Sequence, residues 1–372
     1  MKKILTLAAV ALATLAVAAP ARAQALRTVK VTPHNNLQAA INKLGRAGGT
    51  VVFRPGTYRV SRPLKLPAGN RAMLTLSGYG ATVDLTAATP RFLVWNRSSG
   101  TVFRHITIAG FRVNAMGRHP SRGSYSPIGF DMQSGPGVYG ADAISIENLT
   151  LKDITATNIA TSPTSAWNPC DINIMTQGSG RHITGVLVKN CHLKGGSRGV
   201  SVLAQGSRSS VTINKIAITG CRHDTGINPS SFSASTNYQV GQYGHLGTLT
   251  MSKDYGARAF DCGIEIDNAA SATLTGCVEE NCYYNEYYDT NFATPLSGAG
   301  TGTTTLRNCT ARVTRSVHGG TGFGIGWEGV PIGTIRLDNF AAHLAYGTKN
   351  AWWIDSSAVR MKALLINGVR AH

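Results

Sequence analysis

The chain has 372 residues, of which only 15% are charged and 42 are glycine, and its formal net charge is +18. This composition fits a fold with many turns and few surface helices. The positive charge indicates a polyanionic partner. The absence of a dense Lys/Arg run and of a groove-reading helix argues against nucleic acid.

The first 23 residues have the pattern of a secretory signal peptide. Lys2 and Lys3 precede an apolar run at 4–19, and residues 21–23 form an A-x-A cleavage site. The apolar run is too short for a membrane span, and no other stretch approaches one. We therefore predict a secreted or periplasmic protein of a Gram-negative type, with one domain at 24–372. Loss of Lys2, Lys3 and Arg22 lowers the net charge from +18 to +15.

The segment NLQAAINKL at 36–44 predicts an amphipathic helix. Its apolar residues Leu37, Ala40, Ile41 and Leu44 recur at helical spacing. Asn35 or Asn36 can cap the start of this helix, and a glycine can cap its end. The segment GGTVVFRPGTY at 48–58 follows and predicts a strand that closes in a Pro-Gly turn.

A short β-rich unit then recurs along the chain, ending in Asn or Gly and usually Cys. It reads VLVKNC at 186–191, IAITGC at 216–221, ATLTGC at 272–277, TLRNC at 305–309 and IRLDNF at 335–340. The steps are 30 residues from Cys191 to Cys221, 32 from Cys277 to Cys309 and 31 from Cys309 to Phe340. Such a period, built from strands, predicts a β-solenoid. We interpret the 56-residue step from Cys221 to Cys277 as one unit with a long insertion.

The helix followed by GGTVVFRPGTY resembles the N-terminal cap and first coil of the pectin-lyase-like superfamily. This resemblance covers most of the mature chain and implies an all-β, single right-handed parallel β-helix with an N-terminal helical cap. Polysaccharide lyases, glycoside hydrolases, epimerases and phage depolymerases share this architecture. The Gly-His-Gly pattern of polygalacturonases and the D-P-H-D pattern of alginate epimerases are missing, so the resemblance carries over no catalytic residues.

The repeats also predict how each coil is phased. The Asn or Gly of the unit suits a tight left-handed turn between the second and third strands. The first strand of each coil is then the other β-rich run, as at 171–175, 199–203 and 263–267. Alternation along these strands predicts an outward column of polar side chains, which comprises Asp131, Asn173, Ser201 and Glu265, flanked by Asp171 and Asp267.

The seven cysteines do not indicate a metal site. Four of them, Cys191, Cys221, Cys277 and Cys309, occupy the same place in successive units. This arrangement favours stacked, buried thiols over a disulfide framework. Because no C-x-x-C spacing occurs, a structural zinc site is not predicted.

Glu265 and Asp267 are the first candidates for catalysis. They lie two residues apart on a predicted strand and point to one side, with Asp131, Asp171 and Asn173 on coils above as candidate substrate ligands. Carboxylates that converge on an exposed strand face suit a glycosidase acid–base pair. They also suit a Ca²⁺ ion that bridges to an acidic substrate, so Ca²⁺ stays open as a cofactor and no metal ligand is assigned.

The predicted insertion at 226–261 supplies a second set of candidates. Its end, MSKDYGARAF at 251–260, carries Lys253, Asp254 and Arg258 as candidate catalytic residues and Tyr255 as a substrate ligand, with His245 upstream. A β-eliminating lyase needs a base for the C5 proton and a cation for the adjacent carboxylate. Arg258 or Lys253 could supply the cation, and Tyr255, His245 or Lys253 the base.

The tyrosine-rich segment CYYNEYYD at 282–289 supplies candidates for sugar binding. Glu286 and Tyr287 are the candidate ligands, because exposed aromatic rings beside carboxylates form a platform for sugars. Core packing of the same tyrosines is the alternative.

Together these patterns predict an exported polysaccharide-cleaving enzyme. The charge favours a lyase on an acidic, uronate-containing polymer. A glycoside hydrolase or glycosyl transferase using the carboxylates near Glu265 is the alternative, and a non-catalytic carbohydrate-binding or envelope protein is the third. Many solenoid enzymes form trimers, and the sequence leaves the oligomeric state open.

Overall fold

The computed structural model describes most of the chain after the predicted signal peptide. The described residues are 26–67, 69, 72–87, 91–95, 101–117, 128–130, 144–159, 170–196, 198–205, 210–225, 236–241, 244–259, 261–282, 285–290, 302–314, 321–325, 332–345, 352–354 and 361–371. The predicted signal peptide and Asp131 lie outside these residues. Within the described ranges, no helix has the length and apolar character needed to cross a bilayer.

The chain opens on a short strand, Thr28–Val31, and then forms the predicted helix. The helix spans Leu37–Leu44, and the Asn36 side chain caps it by accepting the Ala39 N–H at 3.0 Å. Its apolar face buries Ala40, Ile41 and Leu44 against the first coil, and a 3-10 turn at Gly45–Ala47 follows. The N-terminal helical cap is therefore confirmed.

Three long parallel sheets make up the rest of the described structure, and the chain visits them in the same order in every coil. We call them sheet 1, sheet 2 and sheet 3 after the three strands of a coil. Sheet 1 has ten strands: Leu64–Leu66, Leu93–Trp95, Ile128–Phe130, Cys170–Gln177, Arg198–Gln205, Thr236–Gly241, Cys262–Asp267, Asn285–Thr290, Thr321–Ile325 and Trp352–Ile354.

Sheet 2 contains the repeated sequence units. Its 13 strands are Thr28–Val31, Gly49–Phe53, Leu74–Ser77, Val102–Ala109, Ser145–Lys152, His182–Lys189, Thr212–Thr219, His245–Ser252, Ala269–Thr275, Thr303–Arg307, Ile332–Asp338, Met361–Ile366 and Val369–Arg370. Neighbouring strands pair in parallel except for the last, which pairs antiparallel.

Sheet 3 follows the turn that ends each sequence unit. Its ten strands are Gly56–Val60, Ala81–Leu85, Arg112–Asn114, Thr155–Ile159, His192–Gly195, Arg222–Asp224, Tyr255–Ala257, Val278–Glu280, Thr310–Val313 and Ala341–Leu344. Sheets that each link one coil to the next in parallel form a parallel β-helix, so the predicted fold class is confirmed.

The turns between sheets 2 and 3 show why the sequence repeats as it does. Asn190, Asn308 and Gly220 have φ values of 51°, 53° and 64°, in the left-handed region that asparagine and glycine tolerate best. The asparagines also bond from coil to coil, since Asn339 Nδ2 donates to Asn308 Oδ1 at 2.8 Å. The predicted phase of the coils is thereby confirmed.

The core lies inside the three sheets and is continuous along the helix axis. Ile172, Val200, Tyr238 and Ile264 occupy paired positions on successive sheet-1 strands, and all are fully buried. Burial of each such side chain contributes about 1.5–3 kcal/mol. All seven cysteines are buried and free, which confirms stacked thiols in place of disulfides.

The predicted long insertion at 226–261 is wrong. The described residues of that segment form a complete coil with strands Thr236–Gly241, His245–Ser252 and Tyr255–Ala257. In this coil Lys253 takes the left-handed turn position with a φ of 56°, and the buried Asp254 takes the cysteine position. The sequence unit was hidden because neither of its marker residues is present.

Candidate functional site

A column of polar side chains runs along the outer face of sheet 1. Asn173 pairs with Ser201, Ser201 with Gln239, and Gln239 with Glu265, so the four lie on successive strands. We call these four residues the Glu265 column. Each has 8% or less of its surface exposed, although the core side chains of the same strands point the other way. Polar side chains buried on the outer face of a solenoid are unusual and indicate a function for this face.

The Glu265 carboxyl is surrounded by polar partners. Thr236 Oγ1 donates to Glu265 Oε2 at 3.4 Å, and Cys262 Sγ lies 3.8 Å from the same oxygen. Gln239, one coil above, also bonds the Glu265 carboxyl. These contacts hold the carboxyl in a defined position on a rigid strand, as proton transfer requires.

The pKa of Glu265 is raised to about 7, first by burial and then by the charge of Asp261. Arg198, Gln239 and Thr236 oppose this rise. Burial also raises the pKa of Asp261, and the charge of Arg198 opposes this rise. Glu265 and Asp261 therefore form a pair of carboxyls that share one guanidinium, and Glu265 holds its proton near neutral pH.

Arg198 belongs to the site through the register of sheet 1. It pairs with Thr236, which in turn pairs with Cys262 next to Asp261. The Arg198 side chain is only 8% exposed. A buried guanidinium beside two carboxyls is a ready partner for a negatively charged sugar substituent.

A second buried polar group lies at the junction of sheets 1 and 3. We call Asp171, His223, Asn237 and Glu279 the His223 cluster. His223 contacts Asn237 Oδ1 at 2.7 Å and the Gly195 carbonyl at 3.0 Å, and Asn237 Nδ2 donates to Glu279 Oε2 at 2.8 Å. All four side chains are fully buried.

Asp171 approaches His223 within 3.6 Å, but burial favours the neutral form of both groups. Burial raises the pKa of Asp171 and lowers the pKa of His223. We therefore describe this as a polar contact between sheets 1 and 3 and not as an ion pair. The cluster joins the two sheets from the inside of the coil.

Several predicted site residues are buried away from any surface. The expectation of an exposed carboxylate face is wrong, because Asp171 and Asp267 have no exposed surface and Glu265 has little. Tyr287 packs in the core, where its hydroxyl donates to the Cys277 carbonyl at 2.8 Å and its ring contacts Phe340. Tyr287 therefore cannot stack on a sugar in this structure.

The predicted lyase residues do not gather around Glu265. Lys253 and Asp254 occupy the turn between sheets 2 and 3, and Tyr255 lies on the adjoining sheet-3 strand. Arg258 follows that strand and forms an ion pair with Asp224 of sheet 3. His245 begins a sheet-2 strand. The physical reason is that a coil turns through its corners within a few residues, so neighbours in sequence occupy different faces.

Asn173, Ser201 and Glu265 are the members of the predicted column that the structure brings together. The side chains of Asp131 and Glu286 lie outside the described part of the chain. Among the described residues, no group of three or more His, Cys, Asp or Glu side chains is arranged to hold a metal ion.

Arg198, Gln239 and Asp261 were missed by sequence reasoning. Gln239 belongs to the coil that was interpreted as an insertion, so its place in the column was hidden. Asp261 lies just before the Glu265 strand, and only the structure shows its effect on Glu265. Correct alignment of the 236–241 strand would have placed Arg198 and Gln239 at the site.

The fold and a family match define a pectate lyase-like, carbohydrate-active class of protein. Residues 32–247 match the family model described as rhamnogalacturonase A/epimerase, pectate lyase-like. The match covers more than half of the 372 residues, and the chain belongs to this family. The match ends before Asp261 and Glu265, so their assignment rests on geometry. A search of curated proteins gives no match to the sequence.

Solved structures resemble the chain only distantly. ORF18 of Geobacillus virus E2 is 12% identical with a TM-score of 0.39, over 91% of this chain and 60% of that one. This chain thus spans less than two thirds of the viral protein. The Streptococcus pneumoniae surface protein and adhesin is 12% identical with a TM-score of 0.33, over 88% and 94% of the two chains. The mannuronan C-5 epimerase A-module of Azotobacter vinelandii is 13% identical with a TM-score of 0.28, over 85% and 94%.

Proposed function

We propose that the protein is an exported enzyme that cleaves an anionic polysaccharide on the outer face of sheet 1, with Glu265 as the proton-transfer residue. The observation that carries this proposal is the Glu265 carboxyl, which is held by Thr236 and Gln239 and has a pKa of about 7. A carboxyl that titrates near neutral pH can both give and take a proton during turnover.

Hydrolysis is the reaction that the carboxyl pair supports best. The charge of Asp261 raises the pKa of Glu265 and so favours the protonated form of Glu265. Glu265 would protonate the glycosidic oxygen while Asp261 would accept a proton from the attacking water. A pair of carboxyls in one site, one acting as acid and the other as base, is the arrangement that glycosidases use.

The substrate is proposed to be anionic for two reasons. The net charge, which is +15 without the predicted signal peptide, attracts polyanions over long distances. Arg198 adds a buried cation beside the reacting carboxyls, where it can bind a uronate carboxylate.

Arg198 also favours a second candidate reaction, β-elimination on a uronate polymer. In that reaction the deprotonated Glu265 would take the C5 proton, the C4=C5 double bond would form as the C4–O4 bond breaks, and the proton on Glu265 would pass to the departing oxygen. Arg198 would neutralise the sugar carboxylate on C5. The candidate bases Lys253, Tyr255 and His245 are not needed in this version, since they lie on other elements. Hydrolysis and β-elimination thus use the same residues in opposite protonation states.

The test is to incubate the purified protein with acidic and neutral polysaccharides and to follow two products. New reducing ends without ultraviolet absorbance indicate hydrolysis, and absorbance of an unsaturated sugar indicates elimination. Glu265→Gln should nearly abolish either signal, whereas Asp261→Asn should slow hydrolysis and leave a measurable rate. Asp338→Asn, which removes a carboxyl on sheet 2, is the matched control. Binding without any product from the wild-type chain would contradict the proposal and favour a carbohydrate-binding or envelope protein.

A further inference from the structure

The outer face of sheet 3 carries a groove that the proposed chemistry does not use. Its volume is about 380 Å³, and its lining comprises Thr155, Thr157, His192, Leu193, Lys194, Arg222, His223, Asp224 and Tyr255. We call it the sheet-3 groove. It is formed by side chains of four successive coils, so it runs along the axis of the solenoid.

The register of sheet 3 aligns the polar side chains of the groove. Thr155 pairs with His192, His192 with Arg222, and Arg222 with Tyr255. Strands in a sheet are about 4.8 Å apart, so these side chains form a ladder with that spacing. A ladder of this kind can contact consecutive sugar residues of an extended polymer.

The groove has an excess of positive charge. Among the described residues, Arg222 and Lys194 form no ion pair with a carboxylate, and both are exposed. Asp224, the acidic residue of the lining, is held by Arg258, whose Nε donates to Asp224 Oδ1 at 2.6 Å. Because that carboxylate is matched by Arg258, the two cations stay available to an anionic ligand.

Tyr255 gives the groove a fixed aromatic surface. The guanidinium carbon of Arg222 lies 4.5 Å from the centroid of the Tyr255 ring. The Tyr255 hydroxyl donates to Glu280 Oε2 at 3.3 Å and thereby holds the other edge of the ring. Its pKa is raised to about 12, mainly by burial and by the charge of Glu280, so the hydroxyl stays protonated at ordinary pH. A held ring next to the Arg222 guanidinium suits a carboxylated sugar, which offers an apolar face and an anionic edge.

We propose that the sheet-3 groove is a second, non-catalytic binding site for carboxylated sugar residues. The class of ligand rests on the proposed function, namely cleavage of an anionic polysaccharide. The site itself rests on the groove, the Arg222–Tyr255 contact and the matched Asp224. A polymer bound on sheet 3 keeps the enzyme on its substrate while the Glu265 column acts on another chain or segment.

The test uses the full chain with two carboxylated probes, polygalacturonate and alginate, and with methyl-esterified polygalacturonate as the uncharged counterpart. The variant Arg222→Ala with Lys194→Ala removes two cations from the groove. The matched control, Arg336→Ala with Lys362→Ala, removes two exposed cations from sheet 2. Calorimetric titration should show affinity for a carboxylated probe about tenfold weaker in the groove variant than in the control.

Three outcomes overturn the proposal: equal losses in the two double variants, equal binding of the ester and the acid, and no saturable binding of either carboxylated probe. Tyr255→Ala should weaken binding as well, whereas Tyr255→Phe should keep most of it, because the ring is retained.

The two proposals fail separately. If Glu265→Gln stays active while the groove variant loses binding, the proposed function fails and the sheet-3 site stands. If Glu265→Gln is inactive while the groove variant binds as the control does, the sheet-3 site fails. If both proposals hold, the groove variant should keep its rate on short oligosaccharides and lose rate only on long polymers.

Discussion

Sheets 1 and 3 are built from the same coils, yet their outer faces differ in burial and charge. On sheet 1, Asn173, Ser201, Gln239 and Glu265 are buried, and the pKa of Glu265 is raised to about 7. On sheet 3, Arg222, His192 and Lys194 are exposed, and the carboxylate of Asp224 is matched by Arg258. The backbone is equivalent in the two places, so the side chains and what covers them make the difference.

Under the two proposals, this contrast separates the face that reacts from the face that binds the polymer. A proton donor needs a shifted pKa, which requires burial and a nearby charge, and sheet 1 provides both for Glu265. A polymer-binding surface needs accessible cations and a flat ring, which sheet 3 provides with Arg222 and Tyr255. A solenoid can therefore hold two different sites on one set of coils. The outer face of each sheet is formed by every second side chain of its own strands, so the two faces vary independently.

The largest expected effect is on kcat/KM, and it compares the loss of a carboxyl from sheet 1 with the loss of one from sheet 3. Glu265→Gln should lower kcat/KM by about 10²–10⁴-fold, which is the usual contribution of a general acid or base. Asp84→Asn removes a carboxyl from sheet 3 and should change kcat/KM little, because asparagine can still accept from Asn114. Steady-state kinetics on the polymer that gives product decide this. Similar losses in both variants would mean that sheet 1 is not the reacting face.

The next effect concerns the junction where the two sheets meet. A Cβ atom at Gly199 would lie 2.5 Å from His223 Cγ and 2.7 Å from the Asn237 carbonyl oxygen. Gly199→Ala should therefore lower the free energy of unfolding by about 1–3 kcal/mol, as overpacking usually does. Thermal unfolding followed by circular dichroism measures the loss.

Gly276→Asn is the control for this variant. Gly276 has a φ of 64° with no atom within 4 Å of an added Cβ, and other coils carry asparagine at this turn. We expect its unfolding temperature to match that of the wild type. A Gly199→Ala protein with unchanged stability would show that the His223 cluster is loosely packed and does not join sheets 1 and 3.

The repeats allowed the coils to be phased from the sequence, but they did not allow the site to be assembled. Asn190, Cys191 and their equivalents identify the turn after sheet 2, because left-handed φ and a small buried side chain leave few alternatives. The coil at 236–257 lacks both markers, since Lys253 and Asp254 replace them. Its residue Gln239 was therefore not predicted to lie in the column.

The site could not be derived because neighbours in a solenoid are one coil apart and not adjacent in sequence. Lys253 and Arg258 precede Glu265 closely but lie at or beyond the sheet 2–sheet 3 turn. Arg198, much earlier in the chain, is the cation that acts on Glu265. Alternation predicted the side to which Glu265 points, whereas its burial depends on parts of the fold that no local pattern describes.

A smaller effect is expected in the pH dependence of kcat/KM, because two substitutions should move the pKa of Glu265 in opposite directions. If Glu265 is the general acid, kcat/KM falls as pH rises through its pKa near 7. Asp261→Asn removes a charge that raises this pKa, so the alkaline limb of the profile should move to lower pH. Arg198→Gln removes a charge that lowers it, so the limb should move to higher pH.

The pH dependence of kcat/KM, measured for each variant relative to the wild type, checks these directions. Asp224→Asn on sheet 3 should leave the limb in place. If the alkaline limbs of Asp261→Asn and Arg198→Gln moved in the same direction, the opposite effects assigned to these two charges would be contradicted. Loss of rate at low pH in place of high pH would identify Glu265 as a base and favour β-elimination.

The smallest expected effect tests whether burial alone raises the pKa of a carboxyl in this fold. Asp254 is buried at the turn between sheets 2 and 3, away from Arg198, and burial raises its pKa from 3.8 to about 7. Cys221 N–H at 2.7 Å and Ser252 N–H at 3.0 Å donate to its two oxygens and oppose that rise. The folded protein thus holds a proton that the unfolded chain releases near pH 4.

The stability provided by the protonated Asp254 is therefore complete below about pH 4 and is lost as pH rises toward 7, by up to about 1.4 kcal/mol per pH unit. Asp254→Cys restores the residue that neighbouring coils carry and should remove this part of the slope, whatever its effect on stability at one pH. Chemical denaturation at several pH values between 4 and 7 measures the slope, and Glu265→Gln should remove a separate part of it. An unchanged slope in Asp254→Cys would mean that the two backbone donors keep Asp254 ionised in the folded protein. Burial alone would then be insufficient to raise a carboxyl pKa in this fold. The charge of Asp261 would become the main cause of the raised pKa of Glu265.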